Sequence, residues 1–146
     1  MCRSFRIIRY SEKPRYIPEQ NVAYFGTFGY ELDLNSLKEE EIAEVKEQII
    51  FMKKYRKLFQ FGDFYRLKSP FEGNETIWMV VSEDKKTAIV GYYRTLNGVN
   101  QAYSRIKLQG LDPDMLYENI LNKTENYGDE LMNFGLITTD VTAGEV

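Results

Sequence analysis

The sequence contains no histidine and a single cysteine, Cys2. Without histidine, Ser-His-Asp and Cys-His catalytic arrangements and His-ligated metal sites are excluded, which leaves carboxylates, lysines and tyrosines as acid–base groups. One cysteine cannot form an internal disulfide, and nothing in the chain calls for an oxidising compartment. No apolar run approaches the ~18 residues needed to cross a bilayer, and the first residues lack the apolar stretch of a signal peptide. These absences predict a cytoplasmic protein without membrane contact. The net charge of −3 lacks the basic footprint of a nucleic-acid binder. The basic residues that do cluster, Arg3, Arg6, Arg9, Lys13 and Arg15, are offset by Glu12 and Glu19. No phosphate loop, dinucleotide fingerprint or zinc spacing occurs, so neither a cofactor nor a metal is expected.

What the chain does have is aromatic side chains: eleven Tyr and nine Phe in 146 residues, a bias that suits sheets. A chain of this length supports one domain with its own core. Residues 1–20 show no clean period and carry Pro14 and Pro18, so they read as a weakly structured arm. Residues 22–32 have strand composition interrupted by Gly26 and Gly29. A long helix follows. Ser36 and Glu39 fit a capping box, and Ile42, Val45, Ile49, Met52 and Phe59 recur at helical spacing. Glu39, Glu40 and Glu41 sit at its start and Lys53, Lys54, Arg56 and Lys57 at its end, the order that complements the helix dipole. Gly62 is the expected stop, near Gln60. Beyond it, residues 64–68, 76–83, 87–96 and 103–108 read as strands separated by turn material, the pattern of antiparallel hairpins. Residues 116–121 are predicted as a further strand, 129–135 as another, and Gly91 as a bulge. The fold class is α+β: one long helix beside a small antiparallel sheet.

Candidate chemistry can be weighed residue by residue. Glu31 and Asp33 are two apart, so in a strand they would share a face as a glycosidase pair could; Asp33 equally suits a helix start, where a carboxylate caps free N–H groups. Glu72, Asn74 and Glu75 in SPFEGNE have the residue types of a metal or sugar site, and also those of a hairpin loop. Trp78, Tyr92, Tyr93 and Tyr103 could present a sugar-stacking face, but Trp78 lies within the apolar run TIWMVV and reads as core. From the residues alone, no catalytic constellation can be assembled.

Five segments taken together go further. FGYELDL, GDFYRL, SPFEGN, WMVVSED and YGDELMN, in this order and spacing, resemble the bacterial α-galactosidases of glycoside hydrolase family 36, from about Asn21 to Leu136. The resemblance implies a (β/α)8 barrel followed by an antiparallel β-sandwich. Residues 21–61 would then be the last barrel strand and helix, residues 62–146 the sandwich domain, and residues 1–20 an unmatched arm. It implies retaining hydrolysis of terminal α-galactosides such as raffinose and melibiose in the intact enzyme. The family's catalytic aspartates match nothing in this chain, so no catalytic residue carries over and the chain alone is expected to be inactive. Thr27 and Phe28 are the positions the resemblance brings nearest the mouth of the parent site. A non-catalytic carbohydrate-binding or structural accessory domain is the alternative.

Two departures from the family pattern carry expectations of their own. The chain is expected to lack the last sandwich strand, which would leave a sheet edge open. With barrel-derived apolar surface also bare, self-association is expected. Second, the family's H-V-S and P-N-H segments are missing near the start. Back-translating Met1–Cys2 as ATG-TG and shifting by one base gives GTG, for Val. With permitted codons the bases up to Arg9 can then spell both segments. The first ~20 residues therefore read as an out-of-frame version of that region.

Overall fold

A computed structural model describes residues 3–10 (by their backbone), 22–30, 33–94, 104–120 and 122–138. Eight strands and two helices are present among them: β1 (Arg3–Tyr10), α1 (Glu39–Phe61), β2 (Asp63–Lys68), β3 (Glu75–Val81), β4 (Thr87–Arg94), β5 (Ser104–Ile106), β6 (Leu116–Asn119), β7 (Glu125–Tyr127), α2 (Gly128–Asn133) and β8 (Leu136–Thr138). Six strands form one sheet in the order β2-β3-β4-β1-β6-β7, and β5 pairs with β8 in a second. The α+β class holds, with one long helix and antiparallel hairpins.

The centre of the sheet follows from two sequences. ETIWMVV and TAIVGYYR are rich in β-branched and aromatic residues, and the polar SEDKKT between them folds back on itself. Asp84 Oδ1 accepts from the Ser82 hydroxyl at 2.7 Å and from the Lys86 N–H at 3.1 Å. Lys85, at φ 54°, takes the left-handed position such a turn requires. Pairing then runs without interruption from Val81↔Ala88 to Glu75↔Arg94.

Because side chains alternate across a strand, this hairpin builds two cores. On one face Ile77, Met79, Val81, Ala88, Val90 and Tyr92 pack with Ile106, Leu108, Leu111, Tyr117 and Leu131. On the other, Val80 and Ile89 meet Leu58 of α1, flanked by Phe25, Phe51, Tyr55 and Phe59. The molecule is thus layered: α1 and the 22–30 segment on one side, the central sheet, then α2 and the small β5/β8 pair.

Several expectations change on contact with the fold. The arm at residues 1–20 was expected to be weakly structured, yet Arg3–Tyr10 forms a strand inside the sheet, parallel to both neighbours. The sheet is therefore mixed rather than antiparallel throughout. The strand expected over 22–32 does not form at residues 22–30. Val22 and Ala23 are helical, Phe25 N–H donates to Val22 O and Gly26 N–H to Ala23 O in the turn that follows, and the rest is irregular chain. A strand needs an edge whose N–H and C=O groups it can pair with, and residues 22–30 pair with none of the described strands. Its aromatic side chains pack instead, Tyr24 being 3% exposed.

The 129–135 strand is helix α2. Asp129 and Glu130 occupy its first turn, where the dipole favours acids, and Gly135 at φ 76° ends it by donating to Glu130 O at 3.0 Å. Gly91 is not at a bulge; it sits in unbroken register opposite Trp78. Its missing side chain makes room for the Phe25 ring, which a Cβ would approach to 2.8 Å. The register shift lies instead between Arg66 and Lys68.

At the start of α1 the expected capping box moves by two residues. Lys38 N–H donates to Glu41 Oε2 at 2.8 Å, while Asp33 caps a preceding 3-10 turn at Leu34–Ser36 by accepting from Asn35 N–H at 3.0 Å. Gly62 stops the helix as expected, its N–H bonding Leu58 O at 2.9 Å.

Candidate functional site

Among the described residues the only buried carboxylate is Glu75, 3% exposed, and the only buried cation is Arg94, 7% exposed. They face each other because the hairpin register sets the first residue of β3 opposite the last of β4. Glu75 Oε1 accepts from the Tyr92 hydroxyl at 2.7 Å and from Arg94 Nη2 at 3.1 Å. Its other oxygen, Oε2, accepts from Lys68 Nζ at 2.5 Å. Burial by itself would push this carboxyl up. The bonds from Lys68, Tyr92 and Arg94, with the charge of Lys68, outweigh that and bring it down to about 2. Tyr92, buried and donating to a carboxylate, is pushed up to about 12. The cluster is therefore one anion held by a phenol that stays protonated and two cations.

Such an arrangement binds charge well and transfers protons badly. A general acid needs a carboxyl that still carries its proton near neutral pH, and Glu75 has lost it. A glycosidase site also needs a second carboxylate at ~5–10 Å across an open cleft. No group of three or more His, Cys, Asp or Glu among the described residues could hold a metal ion.

The other expected site residues scatter. Thr27 is exposed and Phe28 half-buried. Phe28 stacks on Tyr24 at 5.2 Å between centroids and meets Tyr30 edge-on at 5.3 Å, and the Tyr30 hydroxyl donates to Gln48 Oε1 on α1. Asp33 is the cap described above, and Glu31 and Tyr103 lie outside the described residues. In SPFEGNE, residues 69–74 form the β2–β3 loop: the Phe71 N–H donates to Ser69 Oγ at 3.3 Å, and the Phe71 ring is 95% exposed. Glu72 and Asn74 are exposed there and Glu75 is not, so the three do not converge.

The tyrosines part company as well. Tyr92 points into one core and Tyr93 packs on Trp78 on the opposite face. Trp78 is ringed by Phe25 at 5.9 Å, Tyr93 at 5.6 Å and Phe64 at 6.3 Å. It is half-buried core, not a stacking platform. Titrating galactose or raffinose into the chain should therefore leave the Trp78 emission spectrum unmoved; a saturable change in intensity or wavelength would show a sugar on that ring.

An open groove of about 960 Å³ lies between the end of α1 and the β3–β4 turn. Lys54 and Lys57 line one wall, and Glu83 and Asp84 the other. Asp84 is already engaged in bracketing its own turn. The groove lacks the enclosed apolar lining of a small-molecule site.

The described residues are well packed, and comparison with known proteins shows what they belong to. Residues 75–145 match the glycosyl hydrolase family 36 C-terminal domain, and residues 15–62 match the melibiase family. The chain is 49% identical over 116 residues to α-galactosidase AgaA of Geobacillus stearothermophilus, covering 80% of this chain and 16% of that one. To α-galactosidase Mel36A of Lactobacillus acidophilus it is 40% identical, covering 78% and 15%.

Among solved structures, the α-galactosidase of Lactobacillus brevis superposes with a TM-score of 0.81 at 46% identity, over 86% of this chain and 17% of that one. A variant of the Geobacillus AgaA enzyme in complex with raffinose superposes with a TM-score of 0.78 at 46% identity, over 83% and 17%. The chain thus spans about a sixth of the length of the relatives it matches. It belongs to glycoside hydrolase family 36, as a C-terminal part of that family's α-galactosidases.

Proposed function

We propose that this chain is the structural C-terminal portion of an α-galactosidase that acts on terminal α-galactosides of the raffinose type, and that it has no hydrolytic activity alone. The observation that carries this reading is the state of Glu75. The one buried carboxylate among the described residues is ionised and held by three donors, so it braces a sheet and leaves the chemistry to groups in the remainder of the enzyme. In a (β/α)8 barrel those groups come from the ends of several strands, and a chain with one-sixth of the relatives' length cannot assemble them.

On this reading residues 21–61 derive from the last strand and helix of the barrel and residues 62–146 from the sandwich domain. The bareness of α1 supports it. Over its 23 residues only Leu58 is buried; Ile50 is 66% exposed and Phe61 78%. A barrel helix has neighbouring helices on both flanks and strands beneath it, and those contacts are what this helix lacks. Thr27 and Phe28 would then lie near the mouth of the parent site. The conformation of residues 22–30, turned aside and packed by Tyr24 and Phe25, is what such a strand adopts when no neighbouring strand offers an edge. The bare α1 stripe is also the surface through which copies of the chain would associate. No helix among the described residues is long and apolar enough to cross a membrane.

The test is a chromogenic α-galactoside assay on the purified chain. The expected result is release of chromophore indistinguishable from buffer over hours. Turnover that scales with protein concentration and is inhibited by galactose would overturn the reading.

A further inference from the structure

The outward face of α1 carries a pattern that its packed face does not need. Toward the sheet, Phe51, Tyr55, Leu58 and Phe59 meet Val80 and Ile89. On the other side Ala43, Glu47, Ile50, Lys54, Lys57 and Phe61 are all exposed. Their spacing alternates four residues and three without a break. That alternation keeps one narrow seam in line along a helix and sets it against a second helix. At 1.5 Å per residue the seam runs for ~27 Å.

Its chemistry is polarised along that length. Up to Glu47 the helix holds five glutamates against one lysine, Lys46. From Lys53 to its end it holds Lys53, Lys54, Arg56 and Lys57 and no acid. Among the described residues, no ion pair joins a charge of the seam to another side chain of the chain. Ile50 is 66% exposed and Phe61 78%, so both have apolar surface to remove from water.

Such a helix discriminates between two ways of meeting a copy of itself. Side by side in the same direction, Glu47 would face Glu47 and Lys57 would face Lys57, and like charges repel. Head to tail, the acidic part of each copy meets the basic part of the other, and a twofold axis makes every such contact twice. With the axis level with Met52, each layer of the seam finds a suitable partner. Glu47 stands opposite Lys57, Ala43 makes room for the ring of Phe61, and Ile50 lies along the aliphatic stem of Lys54. The open groove beside the end of α1, lined by Lys54, Lys57 and Phe61, leaves space for the start of the second helix.

We infer that α1 is the seam of a homodimer in which two copies pack antiparallel along residues 43–61, with Glu47 of each facing Lys57 of the other. The inference rests on the reading above that copies associate through the bare α1 stripe, and it adds their orientation and register.

The experiment is sedimentation velocity on the full chain over a range of concentrations, with substitutions at exposed positions of the seam. The unmodified chain should pass from monomer to dimer as concentration rises. Glu47→Lys and Lys57→Glu should each raise the dissociation constant at least tenfold, because each sets like charges face to face twice per dimer. The double variant Glu47→Lys/Lys57→Glu should recover most of the loss, since the pairs are rebuilt with their signs exchanged. Net charge alone requires the reverse for Glu47→Lys, which brings the chain nearer neutrality and would ease association. Ile50→Arg should weaken the dimer as much as either single reversal. Circular dichroism checks that each variant keeps its fold.

A dimer lost in Ile50→Arg but not recovered in the double reversal overturns the antiparallel register and leaves association through α1 standing. A chain that is monomeric at every concentration, or a dimer that none of the substitutions weakens, overturns both. The α-galactoside assay is indifferent to either result.

Discussion

Glu75→Gln should unfold at a temperature roughly 10 °C below the unmodified chain. Removing one partner of a buried ion pair strands the other, at a cost of about 3–5 kcal/mol, and in a domain of this size each kcal/mol moves the midpoint by a few degrees. Here Arg94 is 7% exposed and would keep its charge without its carboxylate. Tyr92 would exchange an anionic acceptor for a neutral amide, while Lys68, on the rim of the sheet, can turn to water. The double change Glu75→Leu/Arg94→Met removes both charges, and it should recover most of the loss if burial of an unpaired cation is the cause. Equal losses in the single and double variants would point to shape instead of charge.

The same network sets an acid limit. The Glu75 carboxyl lies at about 2 in the folded chain against an ordinary 4.5, so the unfolded chain takes up its proton first as pH falls. Its contribution is therefore fully present above about 4.5, fades as pH drops below that, and is gone once pH has passed about 2. Thermal midpoints measured between pH 6 and 2 should fall less steeply in the Glu75→Leu/Arg94→Met chain, which lacks this component.

Gly128→Ala should destabilise the chain by about 3 kcal/mol, the upper range for forcing extra atoms into a closed core. Gly128 opens α2 and is buried against the Asp112–Met115 turn, its N–H bonded to Met115 O at 2.9 Å. A Cβ built there would lie 2.0 Å from Asp112 O and 3.2 Å from the Tyr117 ring. The first contact is with backbone, which cannot rotate aside. The turn would have to move, and with it the Asp112 N–H that donates to the Tyr117 hydroxyl. Gly26→Ala provides the control: nothing lies within 4 Å of its Cβ position, and urea midpoints should shift by no more than the ~0.5 kcal/mol of an ordinary surface change. A Gly128→Ala chain as stable as this control would mean that the α2 junction is looser than its geometry.

The long helix and the β2–β3–β4 hairpins were legible because their signals are local: period, turn chemistry and a glycine stop. Glu75 was legible in principle. Once SEDKKT is fixed as the turn, counting outward along both strands places Glu75 opposite Arg94, and a carboxylate heading an apolar run invites that count. Taken as part of SPFEGNE, it read as loop instead.

The helix at 128–133 was missed because DELMNFG alternates well enough for a strand, and the deciding contact, Gly128 against Asp112, lies sixteen residues away in sequence. Residues 22–30 were read as a strand from composition, which reports what a side chain prefers and not whether an edge is on offer. β1 was illegible for the opposite reason. RSFRIIRY carries modest strand character, and its place is decided by two edges formed more than seventy residues later.

That separation has a consequence for how the molecule comes into being. A ribosome adds ~5–20 residues per second, so Arg3–Tyr10 waits several seconds before Thr87–Arg94 and Tyr117–Asn119 emerge to receive it. During that interval the nascent chain carries a strand-forming segment whose partners have not yet been made. Closure of the sheet must then be a late event, dominated by distant contacts and correspondingly slow. The helix and the hairpins close early on local contacts, and the strand that joins the two halves of the sheet settles after them.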